Sequence, residues 1–169
     1  FIGRFVDSKD PIFFLRNMIK LINEINIKIY LLGDGILKKD LQYLSKNYKN
    51  HIKFLKYTTK PYKKYSKIMD LICITSKFDG TPNVLGEAIA RSIPCIAPKN
   101  VGLANLLLKN GEYGYLYKQG SDNNFKQKII YCLKNYKKSI HKSKLALKGL
   151  ERFDKKNTLK KLNTILSKI

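Results

Sequence analysis

The chain has no tryptophan, two methionines, two histidines and three cysteines. His51 begins a strand-like run and His141 lies in a lysine-rich stretch, and neither has a nucleophile or metal ligand at a working spacing. A Ser-His-Asp hydrolase and a histidine metal centre find no support. Cys73 and Cys95 lie in apolar strand-like runs and Cys132 on a helix pattern. Neither their number nor their spacing makes a zinc site or a disulfide frame, and reduced buried thiols of a cytosolic protein are expected. No run approaches the roughly 20 apolar residues that cross a bilayer. No signal-peptide pattern opens the chain. Phe1-Ile2-Gly3 reads as the end of a strand, so a piece cut at a domain boundary is expected.

Acidic residues are also scarce, 12 against 34 basic ones, for a net charge of +22. That balance favours anionic partners. Two readings stand. The lysines are scattered among abundant isoleucine, asparagine and tyrosine, as compositional bias would leave them. Alternatively they form a functional basic face, best placed at Lys134, Lys137, Lys138, Lys142, Lys144 and Lys148 against an anionic membrane. A nucleic-acid-binding module is the rival class. It would need a basic helix-turn-helix, an RNA motif or a clustered stacking set of aromatics, and none is present. No nucleic-acid partner is expected.

The 169 residues fit one domain. Strand and helix patterns alternate. Ile2–Val6 ends a strand, and Pro11–Ile25 is a helix with Pro11 in its first turn. Ile27–Leu32 is a strand, Leu37–Tyr48 a helix, Ile52–Leu55 a strand and Tyr62–Ile68 a short helix. Leu71–Thr75 is a strand and Asn83–Arg91 a helix. Pro94–Ala97, Ala104–Lys109 and Tyr115–Tyr117 follow as strand, helix and strand. Asp122–Tyr136, Ser139–Leu150 and Thr158–Ile169 make a helical tail from about residue 121, with a break at Phe153-Asp154. Central strands apolar on both faces argue an α/β fold, a Rossmann-like doubly wound parallel sheet covered on both sides. Ligands bind beyond the carboxyl ends of such strands.

Every motif lies just after a strand. The apolar run Leu71-Ile72-Cys73-Ile74-Thr75 leads into Ser76-Lys77-Phe78-Asp79-Gly80-Thr81-Pro82-Asn83-Val84-Leu85-Gly86-Glu87-Ala88-Ile89-Ala90. Asp79 and Glu87 flank this strand-to-helix turn with seven residues between them. Gly80 and Pro82 lead to helix-start amides, which bind anions. Two carboxylates with amides between them suit a ligand with hydroxyls at both ends and phosphates in the middle, such as a nucleotide-sugar. The plainer reading of the pair is a helix-dipole charge and a solvated glutamate. Gly33-Asp34-Gly35 lacks the third glycine of a dinucleotide fingerprint and reads as a tight turn. Arg4 and Lys9 flank the first loop and would neutralise a pyrophosphate if they converge, or else are surface cations.

Taken together, these residues resemble the C-terminal half of family-four retaining glycosyltransferases of the GT-B fold. The resemblance spans nearly the whole chain. It rests on Gly3-Arg4-Phe5-Val6-Asp7-Ser8-Lys9, on Leu31-Leu32-Gly33-Asp34-Gly35, on Tyr65 through Ser76, on Asp79 to Glu87, on Val101-Gly102 and on Gly111-Glu112-Tyr113-Gly114-Tyr115-Leu116. It implies that Arg4 and Lys9 hold the donor pyrophosphate and stabilise the departing nucleoside diphosphate. Amides of Asn83, Val84 and Leu85 would add to this. Glu87 would take the ribose hydroxyls, and Asp79 with Gly80 the donor sugar. Gly3, Gly33, Thr81 and Pro82 would complete the donor-binding loops. The implied co-substrate is a nucleotide-sugar, a UDP-sugar first, with no metal cofactor. The implied acceptor is a glycan or lipid-linked glycan held by an N-terminal domain that this chain lacks, so the chain alone would be inactive. Bacterial surface polysaccharide or glycan synthesis, in the cytoplasm or at the inner face of its membrane, is the implied setting. Three positions depart from the pattern: Asp79 where glutamate is usual, Leu106 where many members have glutamate, and Lys56 where glycine is common. A nucleotide-sugar epimerase shares the architecture, but the string at 76–90 fits a transferase better.

Overall fold

A computed structural model describes residues 1–150 and 155–167. The expected break at Phe153-Asp154 lies outside them. Five strands form: β1 (Ile29–Leu32), β2 (Ile52–Leu55), β3 (Ile72–Cys73), β4 (Cys95–Pro98) and β5 (Tyr115–Tyr117). Eight α-helices are described, besides four single-turn 3-10 helices: α1 (Pro11–Ile22), α2 (Lys38–Ser45), α3 (Pro61–Tyr65), α4 (Asn83–Ile89), α5 (Ala104–Leu107), α6 (Asp122–Lys134), α7 (Tyr136–Gly149) and α8 (Lys155–Leu166).

All strand pairs are parallel: β1 with β2, β3 with β4, and β4 with β5. Ile2 bridges Leu32 in the same sense, and Phe1–Gly3 is tied to β1 by Leu32 N–H to Phe1 O and Gly3 N–H to Leu32 O. Among the described residues no hydrogen bond joins Phe1–Gly3 to β3, so the sheet runs in two blocks. The strands alternate between two cores, as a sheet buried on both faces requires. Cys73 and Ile96 face one core with Leu15, Leu21, Leu41, Phe125 and Ile129 from α1, α2 and α6. Ile72, Ile74, Cys95 and Ala97 face the other with Leu85, Ala104 and Ala146 from α4, α5 and α7. Each fully buried leucine or phenylalanine contributes about 1.5–3 kcal/mol. All three cysteines are buried free thiols, and burial pushes Cys73 up to about 12.

Among the described residues only β2 and β5 keep their expected bounds, and Ile2–Val6 makes a single bridge at Ile2 rather than a strand, because Phe5 N–H turns to Asp34 O in the next loop. Helix α1 stops at Ile22, and Glu24 N–H closes a tighter i→i−3 turn onto Leu21 O just beyond it. Ile25 and Ile27 still pack on the core, which kept the apolar period running past the helix end. The gap between the tail helices is the single residue Asn135, whose side-chain amide donates to Tyr131 O at 2.9 Å. The assigned strand at 71–75 shrinks to Ile72–Cys73, although Ile74 N–H still bonds Ile96 O.

A cavity of about 710 Å³ lies between the starts of β1 and β3, lined by residues such as Ile27, Ile29, Met69 and Leu71. It is mainly apolar, and Phe1, Ile2, Leu32 and Leu55 line it too, so it runs along the seam between the two blocks of the sheet.

Candidate active site

The parallel strands bring their following loops to one edge. Gly3 through Asp10 follow the first strand segment, Gly33–Leu37 follow β1, Ser76–Pro82 follow β3 and Lys99–Leu103 follow β4. These loops are bonded into one unit. Phe5 N–H reaches Asp34 O at 2.8 Å, and Leu37 N–H reaches Phe5 O at 3.0 Å. Lys77 N–H donates to Ser8 O at 2.8 Å. The Thr75 hydroxyl lies 3.0 Å from Lys9 O and 3.1 Å from Asp10 O. The Lys77 ammonium pairs with Asp7 at 2.6 Å, which pushes the lysine above its ordinary value.

Against this frame Lys9 and Asp79, 70 positions apart in sequence, form an ion pair. Their side chains are 25% and 13% exposed. Ser76 Oγ lies 3.4 Å from the same carboxylate oxygen, Oδ2. The structure thus brings together two of the three residues expected to act in chemistry. The third, Arg4, is exposed on the Lys9 loop and makes no ion pair among the described residues.

Glycines set the close approaches. A β-carbon on Gly33 would lie 1.9 Å from Gly3 O, so these two expected site glycines touch through the backbone. Gly102 has φ +49°, and a β-carbon there would lie 2.1 Å from Gly80 O and 2.3 Å from Asp79 O. Leu103 N–H donates to Gly80 O at 3.1 Å. The turn after β4 therefore underlies the Asp79–Gly80 peptide.

Thr81 is exposed and Pro82 buried at the entry to α4. Leu85 N–H is bonded to Pro82 O at 2.8 Å. The Asn83 and Val84 amides have no acceptor among the described residues, as expected for a helix start. Val84 O accepts from the Tyr62 hydroxyl at 2.8 Å, and burial raises that phenol above its ordinary range. Glu87 is exposed one turn into α4, and its carbonyl accepts from Arg91 at 3.0 Å. Among the described residues no three His, Cys, Asp or Glu side chains converge to hold a metal ion.

Sequence reasoning passed over three supports. Thr75 was read only as the end of a strand. Tyr62 anchors α4 by its hydroxyl. Gln119 Nε2 donates to Lys77 O at 2.8 Å and braces the loop that carries Asp79. A buried polar residue closing an apolar strand was the one signal available, and it pointed to Thr75.

The doubly wound α/β unit with its loops gathered at the carboxyl edge is the fold of a GT-B domain. The profile described as Glycosyl transferases group 1 matches residues 1–148, and the chain belongs to that family. It is 27% identical over 157 residues to N-acetylgalactosamine-N,N'-diacetylbacillosaminyl-diphospho-undecaprenol 4-alpha-N-acetylgalactosaminyltransferase of Campylobacter jejuni, a match spanning 91% of this chain and 42% of that protein. The chain thus spans less than half the length of this relative. A mutant of S. aureus TarM, solved with Fondaparinux, alpha-GlcNAc-glycerol and UDP, superposes with a TM-score of 0.86 at 21% identity, over 96% of this chain and 34% of that one. The C-terminal domain of the group 1 glycosyl transferase LpcC from Francisella tularensis superposes with a TM-score of 0.77 at 18% identity, over 89% of this chain and 82% of that one.

Proposed function

We propose that this chain is the donor-binding half of a retaining glycosyltransferase that takes a UDP-sugar. The observation that carries the reading is the Lys9–Asp79 pair, with Ser76 beside it, at the carboxyl edge of the sheet and next to the start of α4. Arg4 and Lys9 bind the pyrophosphate and stabilise negative charge as the sugar–phosphate bond breaks. The Asn83 and Val84 amides meet the same charge. Asp79 orients the sugar by its hydroxyls, and Glu87 holds the ribose. On this reading cations of the chain carry the leaving-group charge and no bound metal is needed. The UDP in the TarM structure supports the choice of nucleotide.

The acceptor lies outside this chain, in a second domain. The Campylobacter relative is named for transfer to a diphospho-undecaprenol-linked saccharide, which supports a lipid-linked acceptor and a bacterial surface glycan as the product class. Closure of the two halves would exclude water and limit donor hydrolysis. Peripheral contact with an anionic membrane belongs to the same reading.

Calorimetric titration with UDP, GDP and UDP-sugars tests it. One nucleotide should bind saturably, and Arg4→Ala and Glu87→Ala should each weaken it about tenfold or more, the scale of a lost hydrogen bond to a charged group. No binding of any of these to the folded chain or to the two-domain polypeptide sinks the reading. A basic anion-binding module would instead bind DNA with a steep salt dependence and no competition by nucleotide-sugars.

A further inference from the structure

We propose that the Lys9–Asp79 pair is a latch that opens for the intact donor and closes again on the spent nucleotide. The inference rests on the donor-site reading above. Lys9 and Asp79 have separate tasks there, one on the phosphates and one on the sugar, yet they hold each other.

Backbone movement cannot part them easily. Their two loops are joined by Lys77 N–H to Ser8 O, by Thr75 to Lys9 O and Asp10 O, and by Lys77 to Asp7. What can move is the Lys9 side chain, a flexible four-carbon stem with a point charge at its tip. Swinging it to a diphosphate leaves the Asp79 carboxylate, among the described residues, with one weak contact, Ser76 at 3.4 Å. Asp79 is 13% exposed, so water replaces the lost partner incompletely. The unpaired carboxylate would also face the incoming phosphate charge.

An intact donor answers both penalties. Its sugar hydroxyls donate to Asp79 while its diphosphate takes Lys9. Both existing contacts fall on Oδ2, and none falls on Oδ1 among the described residues, so one acceptor stands ready for a hydroxyl. After transfer the sugar leaves with the acceptor substrate. Asp79 is bare again, draws Lys9 back, and the grip on the nucleoside diphosphate weakens. The latch thus favours donor over product and speeds product release. Asp79 acts on the nucleotide as a positioning residue, through Lys9.

The test is a double-mutant cycle read by UDP affinity. Loss of a sugar contact alone leaves UDP binding unchanged, and structural damage weakens it. A latch predicts the opposite sign: Asp79→Asn binds UDP about fivefold more tightly than wild type, the upper range for a partly exposed pair. In a Lys9→Met background the same substitution changes UDP affinity by less than about twofold. A gain that persists without Lys9 is direct charge repulsion and overturns the latch. So does wild-type UDP binding with no gain in Asp79→Asn or in a second variant, Asp79→Ser, when both melt like wild type. If none of the proteins binds UDP, the donor-site reading falls, and the latch with it.

Discussion

A methyl group at position 102 would collide with two carbonyl oxygens, and φ +49° strains any side chain there. Gly102→Ala should therefore cost about 1–3 kcal/mol and displace the Asp79–Gly80 peptide. Urea unfolding should show the loss. Gly86 is the counter-case. It lies inside α4, and a β-carbon there meets nothing within 4 Å. Gly86→Ala should raise stability by about 0.4–1 kcal/mol in the same unfolding experiment. From sequence alone both positions were glycines near a motif. Val101-Gly102 was legible as a turn after a strand, and Gly33 as a tight turn. The partners that make them obligatory, Gly80 O and Gly3 O, come from distant loops and carry no local signal. The Lys9–Asp79 contact was hidden in the same way. Both residues were identifiable as candidates, but their mutual pairing depends on how two loops meet.

Helix α1 starts from Asp10, which sits in the left-handed region at φ 48° and accepts from Phe13 N–H at 3.1 Å. Asp10→Ala removes the cap and strains the backbone, and should lower stability by about 1–2 kcal/mol. Asp10→Asn keeps the acceptor and tolerates that backbone, so its urea midpoint should stay near wild type. At the other side of α1, Asn17 and Lys20 both donate to Asp122, at 3.0 and 2.6 Å, and tie α1 to α6. The Lys20 and Asn17 bonds hold the Asp122 carboxyl below its usual 3.8. The native chain thus releases this proton more readily than the unfolded one. The stabilisation is complete above the unfolded value and is lost as pH falls through the lower native value. Asp122→Asn should flatten this part of the acid limb in unfolding midpoints taken from pH 6 down. Equal acid sensitivity in the two proteins would remove Asp122 from that limb. From α1 to α7 the strand and helix types were readable, because period two and period 3.6 leave different apolar spacings, whereas the strand expected at Ile2–Val6 is only a bridge at Ile2. The ends of the elements were not readable, since Ile25 and Ile27 serve the same core from beyond the end of the helix.

At the scale of the molecule, alternation of strand and helix was enough to infer a doubly wound sheet, and both faces are covered as that pattern requires. The two-block sheet and its apolar cavity were not legible, because pairing between strands far apart in sequence decides them. The net charge of +22 was plain from the start, but its arrangement was not. On α7, Lys137, His141, Lys144 and Lys148 follow the spacing i, i+4, i+7, i+11 and are all exposed, opposite the buried Ser139, Ser143 and Ala146. Lys142, by contrast, turns inward toward Gly111 O, and burial lowers its ammonium below the ordinary value. A helix packed by its opposite face leaves such a stripe in solvent, and on the proposed membrane reading this is the face that meets the bilayer. Lysines near an anionic bilayer contribute about 1 kcal/mol each and act within a Debye length of about 10 Å at 0.1 M salt. The protein should therefore sediment with phosphatidylserine-containing vesicles at low salt and leave them at about 0.5 M. Lys137→Glu combined with Lys144→Glu should weaken that binding at least about tenfold without changing the unfolding midpoint. If the wild-type protein stays in the supernatant at low salt, the stripe is only solvated charge, and the acceptor must be reached without help from this face.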